Sequence, residues 1–179
     1  MMEELSYHIL DIVQNSFTAG ALNVRLEIID SDKDDILSII VEDDGKGMNH
    51  KEIEIAQNPF YTTKKGKRVG LGIPLLKESC EMCEGRFEIV GEKGKGTKVK
   101  AVFKKSHIDR PPMGNLKDTI LTLIIGAEKT DIDFIYKKDD KIFNLNTKEI
   151  KKQIGDLPIN NPDVIRFIKG YLDENLENE

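Results

Sequence analysis

The sequence predicts an α+β fold, a two-layer α/β sandwich in which helices cover one face of a mixed, mostly antiparallel sheet. Three observations carry this. The chain opens on apolar residues at helical spacing, it continues as two strand pairs each closed by a charged or glycine-bearing turn, and amphipathic helical segments fall between and after those pairs. Its 179 residues suit one domain, or one domain with a substantial extension. Hydrophobic content of 39% and charged content of 33% belong to a globular chain. A formal charge of -5 leaves no basic surplus for neutralising phosphates, so no nucleic-acid partner is expected. No apolar run reaches membrane-spanning length and the N-terminus lacks a signal peptide's features, so the expectation is a cytoplasmic protein with no membrane partner.

From Glu3 to Ala19, the apolar positions Leu5, Ile9, Ile12, Val13 and Phe17 follow a helical period, and Gly20 supplies a stop. Asp11 and Asn15 lie one turn apart on one face of that helix. Asparagine is mildly unfavourable inside a helix, which singles Asn15 out as a neutral oxygen ligand for a magnesium ion that also holds phosphates. Asp11 is then placed to orient or deprotonate a water or a substrate hydroxyl. Leu22 to Asp30 and Ile36 to Glu42 read as strands of a hairpin across Ser31–Asp35.

The second strand runs into Asp43-Asp44-Gly45-Lys46-Gly47-Met48. An ionised aspartate only accepts hydrogen bonds and so suits an exocyclic amino group, while glycine allows a flat ring to approach the backbone. Alone, Asp-x-Gly-x-Gly is ordinary turn chemistry. Asn49 and Glu52 form a capping-box pattern opening a short helix to about Ala56. Pro59, Phe60, Tyr61, Thr62, Thr63 and Lys64 lead into a lid rich in hydroxyls and cations that ends at Arg68. Gly70, Leu71 and Gly72 then stand where a loop turns into a helix from Ile73 to Glu84, and uncovered backbone N–H groups there make an anion site. That helix is expected to stop at Gly85. Arg86–Glu92 and Thr97–Lys104 form a second hairpin around Gly94–Gly96, with Thr97 either reaching a phosphate or simply beginning a strand. A base pocket, a basic lid and a phosphate cradle in that order define a nucleotide site. Neither glycine element fits a Walker A loop or the Gly-x-Gly-x-x-Gly pattern.

The two cysteines, Cys80 and Cys83, share a helix face and supply half a zinc site at most, so they read as buried thiols. Residues 106–115, with Pro111-Pro112, read as a linker. Residues 116–179 read as a small α+β extension, too short to stand fully alone: a helix to Ile125 ending at Gly126, a hairpin of Asp131–Tyr136 with Lys141–Asn146, and helices over Thr147–Ile154 and Asn161–Leu176, the last with Pro162 at its first turn.

Residues 1–105 resemble the GHKL ATPases, which include gyrase-type topoisomerases, the ninety-kilodalton chaperones, histidine kinases and MutL repair proteins. The resemblance rests on Asp11-x-x-x-Asn15, on Asp43, Gly45 and Gly47, on Phe60-Tyr61-Thr62-Thr63-Lys64, on Gly70-Leu71-Gly72, and on Gly94-x-Gly96-Thr97. It implies that Asp43, with Gly45, Gly47 and Met48, binds adenine, that Asn15 holds Mg2+, and that Phe60, Thr62, Thr63, Lys64, Gly70, Leu71, Gly72 and Thr97 belong to the same ATP site. The short lid is most similar to histidine kinases and to the anti-sigma serine kinases of sporulation regulation, and the tail looks like that of small ATP-binding proteins encoded near iron hydrogenases. The implied partners are ATP or ADP and a regulatory or substrate protein, and a homodimer is compatible with it. Asp11 stands where the family usually carries glutamate. The chain begins almost directly with the asparagine-bearing helix, which leaves no room for an upstream phosphoacceptor module, and His8, His50 and His107 read as structural or solvated. The expectation is therefore a magnesium-dependent regulatory kinase or slow ATPase, or else a non-catalytic nucleotide-sensing module.

Overall fold

A computed structural model describes residues 4–60 and 71–177. Helix α1 (Leu5–Thr18) is followed by strands β1 (Asn23–Ser31) and β2 (Ile36–Asp43), helices α2 (His50–Ala56) and α3 (Gly72–Met82), and strands β3 (Arg86–Glu92) and β4 (Gly96–Lys104). Helix α4 (Leu116–Gly126), strands β5 (Asp131–Lys138) and β6 (Lys141–Asn146), and helices α5 (Thr147–Ile154) and α6 (Pro162–Asn175) complete the order. The fold is α+β, with one six-stranded sheet ordered β3-β4-β2-β1-β5-β6. Every strand pair is antiparallel except β1 with β5, which run parallel with Leu26 beside Phe134.

Strand alternation makes one face of this sheet apolar. Val24, Leu26 and Ile28 on β1, Leu37, Ile39 and Val41 on β2, Val99, Ala101 and Phe103 on β4, and Ile132 and Phe134 on β5 are all buried. Leu5, Ile9 and Ile12 of α1, Leu76 and Cys80 of α3 and Ile120 and Leu123 of α4 belong to the same core cluster. The helical layer is thus shared between the two parts of the chain, with α1 packed between α3 and α4.

The extension joins the rest at several points. Strand β5 lies along the full length of β1. The first-turn amides of α1, which have no partner within the helix, donate from Leu5 and Ser6 to the carbonyls of Pro112 and Met113 at 2.9 Å each. Buried Asp30 at the end of β1 accepts from Tyr136 Oη at 3.0 Å and Lys138 Nζ at 2.9 Å, and pairs with Lys105 as well. Burial alone would raise the Asp30 carboxyl, but these donors hold it below the usual carboxylate range.

Two local expectations change in detail. Helix α3 ends at Met82, and the left-handed residue beyond it is Glu84, at φ 52°, rather than Gly85. Gly85 is needed for close approach instead, since a Cβ there would stand 1.8 Å from the Val102 carbonyl oxygen. The capping box at Asn49 and Glu52 is formed on both sides, and Asn161 caps α6 with proline in its first turn. Cys80 and Cys83 are free and buried, and burial pushes the Cys80 thiol up to about 12, so it stays protonated. His8 is buried and held neutral, its pKa lowered to about 4 by desolvation. No helix among the described residues is long and apolar enough to cross a membrane.

Candidate functional site

The register of the central strands assembles the site. Strand β2 delivers Asp43 at its end, and β4 places Thr97 directly opposite it as a cross-strand neighbour. The two glycine motifs that flank these residues interlock. Gly47 has φ 69°, and a Cβ there would lie 1.9 Å from the Glu92 carbonyl oxygen. Gly96 has φ 114°, and its Cβ would lie 1.8 Å from the Asp43 carbonyl oxygen. Both positions combine positive φ with backbone contact, which only glycine tolerates without strain. The close approach permitted here is between two protein loops, a different reason for glycine than the ring contact expected from the sequence.

The other wall is α1. Asn15 and Ser16 from its last turns line a cavity of about 220 Å³ together with Asp43, Gly47, Met48 and Thr97. Its floor is apolar, from Ile12, Val41, Ile73 and Val99. Pockets for drug-sized ligands run to roughly 300–1,000 Å³, so this cavity suits a purine base better than a whole nucleotide. Asp43 is fixed at its base: Oδ1 accepts from the Gly45 amide at 2.9 Å and Oδ2 accepts from Ser16 Oγ at 2.6 Å. A carboxylate offers about four acceptor positions, so capacity remains for a ligand's amino group. The Asn15 side chain makes no hydrogen bond to another described residue.

Ser16 is the site residue that sequence reasoning passed over. Its signal was available, for it continues the Leu5, Ile9, Ile12 stripe with a hydroxyl where the period calls for an apolar side chain, and it is buried. Removing that hydroxyl in Ser16→Ala frees the Asp43 carboxylate to rotate. With Asp43 against the adenine, as the sequence expects, ATP affinity falls about three- to tenfold, the scale of an ordinary intramolecular hydrogen bond of roughly 0.5–1.5 kcal/mol, with the unfolding midpoint nearly unchanged. Isothermal titration beside thermal unfolding measures both.

Asp11 lies one turn before Asn15 and meets the start of α3, where a Cβ on Gly72 would stand 2.2 Å from Asp11 Oδ2. Leu71 precedes that helix. The structure therefore gathers Asn15, Asp43, Gly47, Met48 and Thr97 in one cavity, sets the Gly45 amide on the Asp43 carboxylate, and sets Asp11 against Gly72. Phe60 is exposed at the boundary of the described residues. Thr62, Thr63, Lys64 and Gly70 lie outside the described residues. A second, wider depression of about 380 Å³ shares the same strand ends. Within it Arg25 pairs with Asp133 at 3.1 Å and Asp44 accepts from the Leu22 and Asn23 amides, and of the expected site it takes in only Asp43.

The chain belongs to the family of histidine kinase-, DNA gyrase B- and HSP90-like ATPases, whose profile matches residues 2–107. It is 35% identical over 96 residues to Sporulation kinase E of Bacillus subtilis (strain 168), covering 54% of this chain and 12% of that protein. To Sporulation kinase C of the same organism it is 35% identical over 65 residues, covering 36% of this chain and 15% of that protein. In fold it is similar to the Aquifex aeolicus MutL ATPase domain complexed with ADP, with a TM-score of 0.50 at 14% identity over 86% of this chain and 68% of that one. The chain spans less than a fifth of the length of the curated relatives it matches. It carries a histidine-kinase-type ATPase domain, and ATP is the ligand that this class implies.

Proposed function

We propose that this protein is a magnesium-dependent ATP-binding regulator that passes the γ-phosphate to a partner protein or hydrolyses ATP slowly. The observation that carries the reading is the convergence of Asn15, Ser16, Asp43 and Thr97 on one small cavity with an apolar floor. In this reading Asp43 accepts from the adenine amino group, with Ser16 and the Gly45 amide holding the carboxylate in place. The base stacks against Ile12, Met48 and Ile73, and Thr97 reaches toward the sugar-phosphate side.

Magnesium fits the donor set. Asn15 offers a hard carbonyl oxygen without a competing hydrogen bond to any described residue, and magnesium accepts one or two protein ligands while substrate phosphates and waters fill the rest. Among the described residues no group of three or more His, Cys, Asp or Glu is placed to hold a metal ion, so the ion would rest on Asn15 and the triphosphate. Bound there, magnesium would neutralise charge on the phosphates. The start of α3, where Gly72 admits the Asp11 carboxylate, offers N–H groups to the same phosphates. Asp11, against that helix start, would take a proton from the attacking water or from a partner's hydroxyl.

The shortened carboxylate favours a second reading. Aspartate at residue 11 reaches one methylene less far than the family's glutamate, and catalysis tolerates about an ångström of misplacement poorly. An ATP- and ADP-sensing module that binds a partner, in the manner of an anti-sigma factor, would need no such base. Asp11→Asn separates the two. On the kinase or ATPase reading, turnover falls at least about a hundredfold, the usual scale for general-base loss, while Mg-ATP affinity by titration calorimetry stays within twofold. A wild-type protein that binds Mg-ATP but releases no phosphate and labels no partner sinks the catalytic reading in favour of the sensor.

A further inference from the structure

Helix α3 opens without a cap of its own. Leu71 at its N-cap supplies no side-chain acceptor, and no acidic residue stands in its first turn. The backbone bonding of the helix starts with the Leu75 amide donating to the Leu71 carbonyl at 2.9 Å. Pro74 has no N–H, so the amides of Gly72 and Ile73 are the donors left at the helix start. The carboxylate at this end comes from another helix. The space that a Cβ would fill at Gly72 holds Asp11 Oδ2 and Cγ, and Gly72 itself is buried. The helix macrodipole favours an anion there. Asp11 thus sits at the same helix start that offers its N–H groups to phosphate, and the two anions need one place.

We propose that Asp11 sets the magnesium dependence of nucleotide binding, by holding the start of α3 against a phosphate that arrives without a cation. This rests on the ATP site read above and adds a second role for the same carboxylate. Like charges at one helix start repel, and Asp11 is half-buried, where salt screens that repulsion less than on the open surface. A nucleoside without phosphates meets no such conflict, because the base cavity lies on the far side of Asn15, between α1 and the ends of β2 and β4. A cation held by Asn15, one turn along the same face of α1, offsets the phosphate charge and lets both anions stay. The pairing of Gly72 with Asp11 is what makes the conflict close, since any side chain at residue 72 would drive the carboxylate away from the helix start.

The test is calorimetric titration of the full chain and of Asp11→Asn with adenosine and with ATP, each in excess EDTA and in excess magnesium. In EDTA, Asp11→Asn should bind ATP at least about tenfold more tightly than the wild type, the scale of a close like-charge contact relieved. In magnesium the two proteins should agree within about twofold. Adenosine should bind both alike in either buffer, which also reports that the variant is folded. Asp11→Glu keeps the charge and should keep the wild-type weakness in EDTA. Equal magnesium dependence in the wild type and Asp11→Asn overturns the proposal while leaving the ATP site standing. An equal gain in Asp11→Glu traces the effect to packing and overturns it too, as does a gain for adenosine as large as that for ATP. A wild type that binds neither adenosine nor Mg-ATP removes the ATP site itself, and this role of Asp11 with it.

Discussion

A chain ended after His107, at the limit of the family match, is expected to lose cooperative folding and nucleotide binding together. The cut removes β5, so the eight-residue parallel ladder along β1 is lost and the central strand becomes an open edge. It strips α4 from the flank of α1 and removes the Pro112 and Met113 carbonyls that satisfy the first amides of that helix. Asp30, buried, loses the Tyr136 and Lys138 donors. Ile120, Leu123, Ile124, Ile132 and Phe134 are each almost wholly buried, and the residues that remain lose them as packing partners. Burial of one such side chain contributes roughly 1.5–3 kcal/mol, and a whole domain is stable by only about 5–15 kcal/mol. Asn15 and Ser16 ride on the helix that loses its support, so binding should fail with the fold. The structural likeness to the MutL ATPase domain covers a larger share of the chain than residues 2–107 make up, which favours one folding unit. Urea unfolding of the fragment beside the full chain decides it. A sigmoidal transition of normal steepness with intact Mg-ATP affinity would mean that the extension is dispensable.

That dependence marks the boundary of what could be read from the sequence. Local signals were legible because they act over a few residues. The helical period from Leu5 to Phe17, the Asn49–Glu52 box and the Asn161-Pro162 start each specify their own element. The strands were legible as hairpins, since Ser31–Asp35 and Gly94–Gly96 are short turns that pair neighbours. The parallel union of β1 and β5 was not, for alternation states that Asp131–Lys138 has an apolar face but not which strand lies beside it. The same holds within the site. Asp43 and Thr97 could be proposed from their motifs, whereas the Ser16 hydroxyl on Asp43 and the contact of Asp11 with Gly72 depend on how α1 crosses the sheet and meets α3. Gly85 misled for a related reason, since glycine beyond a helix usually signals a left-handed cap and here serves the passage of β4.

Asp43→Asn should lower ATP affinity by tenfold or more while leaving the fold intact. A hydrogen bond to a charged acceptor is worth roughly 1.5–3 kcal/mol, which is about ten- to a hundredfold in the dissociation constant. The local bonding pattern argues for the larger end of that range. Oδ1 is held by the Gly45 amide, which an asparagine oxygen can still satisfy at 2.9 Å. The amide nitrogen must then take the place of Oδ2, where Ser16 donates at 2.6 Å. The serine hydroxyl can rotate to accept instead, but an adenine amino group cannot, so donor faces donor. A base carrying a carbonyl at that position accepts from the new amide, and the ratio of ATP to GTP affinity should therefore fall further than ATP affinity alone. Calorimetric titration with both nucleotides, each with and without magnesium, reads the two effects separately. Equal losses for ATP and GTP would place Asp43 in the scaffold of the loop rather than against the base. An unchanged ATP titration would remove adenine from this cavity altogether.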